Sequence, residues 1–394
     1  MQPIDVAVIG AGPAGSVAAY QLANAGLQVV LIDQSTFPRD KVCGDGVTGD
    51  GLKVLERMGL SDWLSSFQTY NSLRMTAPDA NALDVFIPVP EGECFGRTIP
   101  RRILDSTLVQ TAEKAGAKLM ESTRVEHVTQ GDVGLEIITG RGALKARMVI
   151  LADGSNAPTT TRMGLTSSVP DMVALRHYVS GDSGPADRLE IHFQSSIVPG
   201  YNWIFPISEG HVNVGTCSTV ALTRSGQVEL KSELKRFMTD PGVSEGRLLQ
   251  SEIVSPAKGA VLRTRMKATR THTEGALVVG DAAGLVNPLS GEGIAPAMLS
   301  AELAAHHTIR AFEKGDFSAN QLESYTRSLR AHFLNDHQVA RSLSIVLRSP
   351  PLLNRVVRNL QRKPDLALLI ALIFIGQKPP LAALKPTTLW RLIF

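Results

Sequence analysis

The chain opens on a short apolar run from Ile4 to Ile9, interrupted only by Asp5 and stopped by glycine. A run of this length between breakers predicts a buried strand. Helical spacing follows from about Ala14 to Ala25 and closes at Gly26, and a second apolar run, Gln28 to Ile32, ends at Asp33. Strand, helix and strand in that order predict a βαβ unit. Helical spacing returns from Asp105 to Ala115, before Gly116. Met148 to Leu151 and Ala276 to Val279 read as further buried strands, and Ile294 to Phe312 as a long helix. The stretches 70–100 and 170–270 alternate apolar and polar residues instead, as in Arg188–Phe193 and His211–Gly215. Alternation predicts antiparallel strands. The expected fold class is therefore α/β: a doubly wound, Rossmann-like nucleotide-binding domain with an inserted, mostly antiparallel β domain. The expected boundaries are 1–70, 100–165 and 272–320 for the first domain, and 71–99 and 166–271 for the second.

The remaining segment, 321–394, predicts a helical C-terminal region. From about residue 341, Arg341, Arg348, Arg355, Arg358, Arg362 and Lys363 are interleaved with Leu, Val and Ile. The apolar stretch Leu366–Ile375 and the apolar end Leu389–Phe394 follow. Such a pattern suits a membrane surface, helices that cap a cavity, or a partner interface. Leu366–Ile375 is about half the ~18 residues of a membrane span.

Composition narrows the class. With 394 residues, 43% hydrophobic, the chain can bury a large core as two domains or one elaborate one. A net charge of +3, without a basic stripe interleaved with aromatics, argues against nucleic acid. Cys43, Cys94 and Cys217 are too few and too scattered for a disulfide framework, and no spacing suggests a metal site. The N-terminal run lacks the basic start and length of a signal peptide, so a reduced, cytoplasmic setting is expected.

Chemistry enters with Gly10-Ala11-Gly12-Pro13-Ala14-Gly15. In such a motif the first glycine permits the tight turn, the second lets backbone approach a pyrophosphate, and the third lets helix pack on strand. The helix start favours an anion. Asp33, 18 residues beyond Gly15, ends the second strand where an acid accepts from ribose hydroxyls. An acid there favours FAD or NAD over NADP. A second element decides between them. Gly280-Asp281-Ala282-Ala283-Gly284 follows a predicted strand and leads through Asn287–Gly293 to Ile294. An aspartate so placed can hold a ribityl hydroxyl, or serve as a helix N-cap. A simple NAD dehydrogenase needs no such element, so FAD is the expected cofactor. No second GxGxxG marks a separate nicotinamide domain.

These motifs resemble the flavoproteins of the p-hydroxybenzoate hydroxylase fold, and within them the geranylgeranyl reductase family. The resemblance is carried by Gly10–Gly15, Phe37-Pro38-Arg39-Asp40-Lys41-Val42-Cys43-Gly44-Asp45-Gly46, Arg101 with Asp105, Ala152-Asp153-Gly154-Ser155, Tyr201-Asn202-Trp203-Ile204-Phe205-Pro206 and 280–294. It implies that Gly10, Gly12, Ala14, Gly15, Asp33, Arg101, Asp153, Gly154, Gly280, Asp281, Gly291, Gly293 and Ile294 bind FAD. It also implies that Cys43 and Gly44 lie near the flavin ring as catalytic residues, and that Tyr201, Trp203 and Phe205 line the substrate cavity. Gly284 stands where aromatic hydroxylases of this fold commonly carry His. The segments after Arg39 and Gly200 depart from the flavin halogenase patterns.

Individual residues keep two readings. Cys43 is a proton donor to a substrate carbon or a small packed residue. Trp203 and Phe205 are cavity or core. Asp45 and Glu292 are acids near the ring, or solvated as loop carboxylates usually are. His306-His307 reads as structural. The expected function is FAD-dependent reduction of carbon–carbon double bonds in a hydrophobic, isoprenoid-type substrate, with NAD(P)H or a reductase as electron donor. The alternatives are an FAD-dependent monooxygenase on an aromatic, polyketide or peptide-bound group, a halogenase, and a flavin-binding accessory protein.

Overall fold

The computed structural model describes residues 4–89 and 94–393. Phe394, at the end of the apolar tail, lies outside them, as do residues 1–3 of the expected first domain and 90–93 of the expected second. Five parallel strands form the centre of the eight-stranded first sheet, in the spatial order Ala276–Val278, Gly142–Leu151, Ile4–Ile9, Val29–Ile32, Lys118–Met120, and His272–Thr273, Leu135–Thr139 and Val125–Gln130 add to it antiparallel. Val6 to Ile9, Val149 to Leu151 and Ala276 to Val278 are almost wholly excluded from solvent. Continuous apolar runs are expected for parallel strands covered on both faces. The Pro13–Asn24 helix packs against the Ile294–Lys314 helix, and alanines dominate their buried faces, among them Ala14, Ala18, Ala297, Ala301 and Ala304. Short side chains let these two helices approach closely.

The register of this sheet positions the site. Ile9 pairs with Leu151 on one side and Ile32 on the other, and Leu151 pairs with Val278. The strand ends are therefore level. Gly10, Ala152 and Gly280, some 270 residues apart along the chain, emerge side by side at the carboxyl edge. That edge is where open parallel sheets bind ligands.

The second sheet runs Glu252–Ile253, Met172–Ser180, His211–Thr219, Asn202–Ser208, Arg188–His192, Ser72–Thr76, Ala82–Phe86, with Lys258–Leu262 also on Met172–Ser180. It is mostly antiparallel, as alternation predicts, but Arg188–His192 and Ser72–Thr76 pair in parallel. The stretch 220–244 departs from the expected strands and folds as three helices, Val220–Arg224, Leu230–Thr239 and Pro241–Ser244. The middle one presses Leu234 and Phe237 onto the outer face of the sheet, at Leu175, Val179, Ile204, Val212 and Val214. The inner face is left to the cavity.

The C-terminal region caps this arrangement. Leu353, Val357 and Leu360 of the Pro350–Gln361 helix share one apolar cluster with Leu366, Ala371 and Phe374 of the next helix and with Leu73, Met75, Val85, Leu189 and Ile191 of the second sheet. Arg355, Arg358 and Arg362 face outward. The basic–apolar periodicity is thus the signature of helices laid on a sheet. No helix among the described residues is long and apolar enough to cross a membrane.

Leu360 is 1% exposed. Leu360→Ala should cost about 2–5 kcal/mol, as buried leucines do. Denaturant unfolding should show a lower midpoint for the whole cooperative transition. An unchanged midpoint would mean that the tail folds apart from the sheet.

Candidate active site

At the carboxyl edge the backbone packs on itself. Gly10 has φ +99°, and a Cβ there would lie 2.3 Å from the carbonyl oxygen of Ala152. A Cβ on Gly15 would lie 1.7 Å from the carbonyl oxygen of Gly10. Neither position accepts a side chain. Gly12 is different: its flank is open, with the Arg39 and Arg101 guanidiniums 3.6 and 4.0 Å from a Cβ built there. The Pro13–Asn24 helix starts at Gly12 with no side-chain cap and no acid in its first turn. Its first N–H groups are left for an anion.

Asp105, fully buried, holds two arginines at this point. Arg101 grips it through Nε (2.7 Å) and Nη2 (2.8 Å), and Arg39 through Nη1 (2.8 Å). Two guanidiniums on one carboxylate leave net positive charge beside Gly12. The arginine arises from a helix that starts at Arg101, four residues earlier than its spacing predicts. Asp33 is buried. Its carboxylate accepts from the Ala11 N–H (2.8 Å) and the Ser35 N–H (2.8 Å), bracing the glycine turn.

The other two aspartates separate. Asp281 lines the cavity, accepts from Ser155 Oγ (2.8 Å) and lies 3.8 Å from Lys41 Nζ. It is not a cap: Gly280–Ala283 is a short 3-10 turn, and the long helix begins only at Ile294. That helix has Gly293 as N-cap, without a side-chain cap or an early acid. Gly291, Gly293 and Ile294 line the cavity, so a second uncapped helix start meets it. Asp153 is turned elsewhere. Its carboxylate accepts from the Thr159 N–H (2.7 Å), the Thr160 N–H (3.0 Å) and Thr160 Oγ1 (2.6 Å), fastening the Pro158–Arg162 helix. Ala152 and Gly154 form the cavity wall there.

The cavity is about 770 Å³. This is in the upper part of the roughly 300–1,000 Å³ range of ligand sites. It runs from Gly12 and Arg101, past Cys43 and Gly44, to an apolar floor that includes Leu73, Leu189, Ile191, Ala174 and Leu262. Tyr201, Trp203 and Phe205 alternate inward from one strand and line it. A Cβ on Gly44 would lie 2.9 Å from the Phe205 ring, and one on Gly215 would lie 2.0 Å from the Trp203 indole. The aromatics therefore lie over glycine on both sides. Tyr201 also bonds the Ser290 carbonyl and stands edge-on to Phe374 of the C-terminal cap, 6.0 Å between centroids.

Behind Cys43-Gly44 lies a buried network that sequence reasoning missed. Asp45 is fully buried with φ +64°, whereas a loop carboxylate is expected to be solvated. Its Oδ2 accepts from Tyr178 Oη (2.7 Å) and Asn213 Nδ2 (2.8 Å), and its Oδ1 from the Arg101 N–H (3.2 Å). Asn213 also donates to the Cys43 carbonyl (2.7 Å) and accepts from Trp203 Nε1 (2.9 Å). The Arg176 guanidinium lies 3.9 Å over the Tyr178 ring. One signal was available: Asn213 is polar at an inward position of an alternating strand. Burial pushes Asp45 up to about 6, against the Tyr178 and Asn213 hydrogen bonds. Burial likewise raises Glu292 to about 7, against the bond from Thr48. Burial raises the Cys43 thiol, and Arg101 opposes it. His307 bridges Ser324 Oγ (2.9 Å) and Ser328 Oγ (3.0 Å) between helices, a structural role. Gly284 has φ +76°, and a Cβ there would meet Arg265 backbone at 2.7 Å. The residue is fixed by packing.

The FAD binding domain family matches residues 3–237. The chain belongs to this family. It is an FAD-dependent oxidoreductase of the geranylgeranyl reductase-like kind. It is 32% identical to the menaquinone reductase of Mycolicibacterium smegmatis over 88% of this chain and 85% of that one. It is 30% identical to digeranylgeranylglycerophospholipid reductase 1 of Methanopyrus kandleri over 87% and 90%. The crystal structure of a geranylgeranyl bacteriochlorophyll reductase-like protein from Thermoplasma acidophilum superposes with TM-score 0.83 over the full length of both chains, at 25% identity. The site fits FAD on its own terms. Two uncapped helix starts and two arginines suit a pyrophosphate, and Gly12 leaves the room.

Asp45 supplies a pH test. Its folded pKa, about 6, lies above the unfolded 3.8, so the folded protein holds this proton more tightly. That stabilisation is complete below pH 3.8 and is lost as pH rises through 6. Over this window, stability of the native protein relative to Asp45→Asn should fall by on the order of 2–3 kcal/mol and then level off. Denaturant unfolding at stepped pH reads it. A flat difference would contradict the buried, proton-holding Asp45.

Proposed function

We propose that this flavoprotein saturates carbon–carbon double bonds in a hydrophobic isoprenoid substrate. One observation carries the reading. A single cavity joins the cationic, glycine-lined end to an apolar, aromatic-walled chamber, and Cys43 and Gly44 stand at the junction. The names of the relatives, reductases of menaquinone and of a digeranylgeranyl lipid, support the same class of substrate.

In this proposal Gly10, Gly12, Ala14 and Gly15 receive the pyrophosphate with Arg101. Asp281, Gly280, Gly291, Gly293 and Ile294 hold the ribityl and ring end. Asp33 acts by fixing the glycine turn, and Asp153 by fixing the wall at Gly154. Bound, reduced FAD supplies the hydride equivalent. Cys43 holds the matching proton on Sγ, because burial keeps the thiol protonated at neutral pH. Asn213, through the Cys43 carbonyl, sets the height of the loop. Trp203, Phe205 and Tyr201 orient the alkene and exclude water. The reading extends to NAD(P)H or a reductase as electron donor and to a cytoplasmic location. Exposed Ile345, Leu381 and Trp390 in a tail rich in arginine and lysine support peripheral membrane contact by 341–394.

Under anaerobic conditions with a reductant, mass spectrometry of a geranylgeranyl lipid should show a gain of two hydrogens per double bond. Hydroxylated product formed only with oxygen consumption would replace this reading with a monooxygenase. Cys43→Ala should keep FAD and slow turnover roughly a hundredfold or more. Wild-type rates would make Cys43 a packing residue. Asp281→Ala should weaken FAD binding at least about tenfold, measured by flavin released on dilution. Full retention would remove Asp281 from the cofactor's contacts.

A further inference from the structure

Each saturation in the proposed reaction takes one proton from Cys43 Sγ, and the thiol needs another before the next. The chamber in front of it has an apolar floor and aromatic walls, so water on that side is a poor source. A second way in runs behind the loop. Asp45, wholly buried and two residues from Cys43, accepts at Oδ2 from Tyr178 Oη (2.7 Å). Tyr178 is half-buried and is not one of the described residues that line the cavity. The surface it keeps therefore opens outside the chamber, away from the substrate.

Each element packed on this route contributes a known group. At the outer end Asp40 accepts from Arg176 Nη2 (2.5 Å) and from exposed Lys258 Nζ (2.8 Å). Arg176, itself wholly buried, stacks on the Tyr178 ring and is the cation that bears on Asp45 from the second sheet. From the next strand Asn213 Nδ2 donates to Asp45 (2.8 Å), an amide with no proton to exchange. From the helix that starts at Arg101 comes the Arg101 N–H (3.2 Å), while the guanidinium is spent on Asp105. On the loop itself, the charge and the N–H of Asp45 both act on the Cys43 thiol. Burial, with the Asp45 charge beside it, keeps Tyr178 a phenol. Its hydroxyl can thus give up one proton only as it receives another.

We infer that Tyr178 and Asp45 return the proton to Cys43 after each turnover. The Asp45 carboxyl gives its proton to the Cys43 thiolate, so an O–H bond breaks and an S–H bond forms. The carboxylate then takes the Tyr178 hydroxyl proton, and the phenol oxygen takes one from solvent. The net change is one solvent proton placed on Sγ, with no electrons moved. The transfer runs downhill, because the buried thiol holds a proton more tightly than Asp45 does. This rests on reading Cys43 as the proton donor to the alkene.

The test compares Asp45→Asn and Tyr178→Phe with the native protein; the second keeps a ring against Arg176. Without turnover, alkylation of Cys43 by iodoacetamide is followed against pH by peptide-resolved mass spectrometry. Asp45→Asn should move the Cys43 midpoint down, because a carboxylate no longer opposes the thiolate. With a geranylgeranyl lipid and excess reductant, anaerobically, the first turnover uses the proton already on Cys43. The ratio of first-turnover to steady-state rate should therefore rise about tenfold or more in both variants. The native steady-state rate should fall as pH rises through about 6, since protonated Asp45 is the donor, and Asp45→Asn should lose that limb. An unmoved Cys43 midpoint would overturn the inference. So would an unchanged rate ratio, the mark of a purely structural Asp45, or a pH limb that Glu292→Gln removes and Asp45→Asn leaves. A moved midpoint with no double bond saturated would sink the reductase reading and leave the Asp45–Cys43 proton pair standing.

Discussion

Everything functional in this molecule depends on one close packing, the backbone of Gly10 against the carbonyl of Ala152 and that of Gly15 against the carbonyl of Gly10. It brings the first turn of the chain flush with the end of the 142–151 strand, and the parallel register then sets Val279, the residue before Gly280, level with both. The polar backbone groups of these turns and of two helix starts gather along one edge. Any side chain at Gly10 or Gly15 would wedge the turn away and misalign the edge. Asp33 secures the arrangement from the other side by bonding the turn's own N–H.

The second constraint is electrostatic. Two sheets must meet closely enough to enclose a cavity, and the contact is made by a buried carboxylate. Asp45 joins the Cys43–Gly44 loop to Tyr178 and Asn213 of the second sheet and to the start of the Arg101 helix. Its hydrogen bonds satisfy a group that burial otherwise disfavours. Removing a partner would leave a buried acid unsatisfied, so the loop beside the reactive junction is held by several bonds at once. The same loop has glycine where the Phe205 ring needs space.

The glycine motif, the strands around it and the aromatic strand were legible because their signals are local: spacing, period, and a breaker at each end. What was not legible depends on segments that meet only in the fold. Asp153 lies in a motif that the resemblance gives to the cofactor, yet its carboxylate is taken by Thr159 and Thr160 just downstream. Asp45 looks like a loop acid until Tyr178 and Asn213, well over a hundred residues away, close on it. Helix 230–239 was hidden because its polar face is long and its apolar face is only a few residues. The tail's periodicity was read correctly as helical, but the sheet beneath it could not be seen. Gly284 marks the reductase branch by resemblance; in the structure it is demanded by Arg265 backbone.

The most direct test is a single turnover. Photoreduced, FAD-loaded protein would be mixed anaerobically with a geranylgeranyl substrate and quenched in time. Flavin oxidation and alkene loss should rise together, one flavin oxidised per double bond saturated. Flavin that stays reduced until oxygen is admitted, with every double bond intact, would contradict the account.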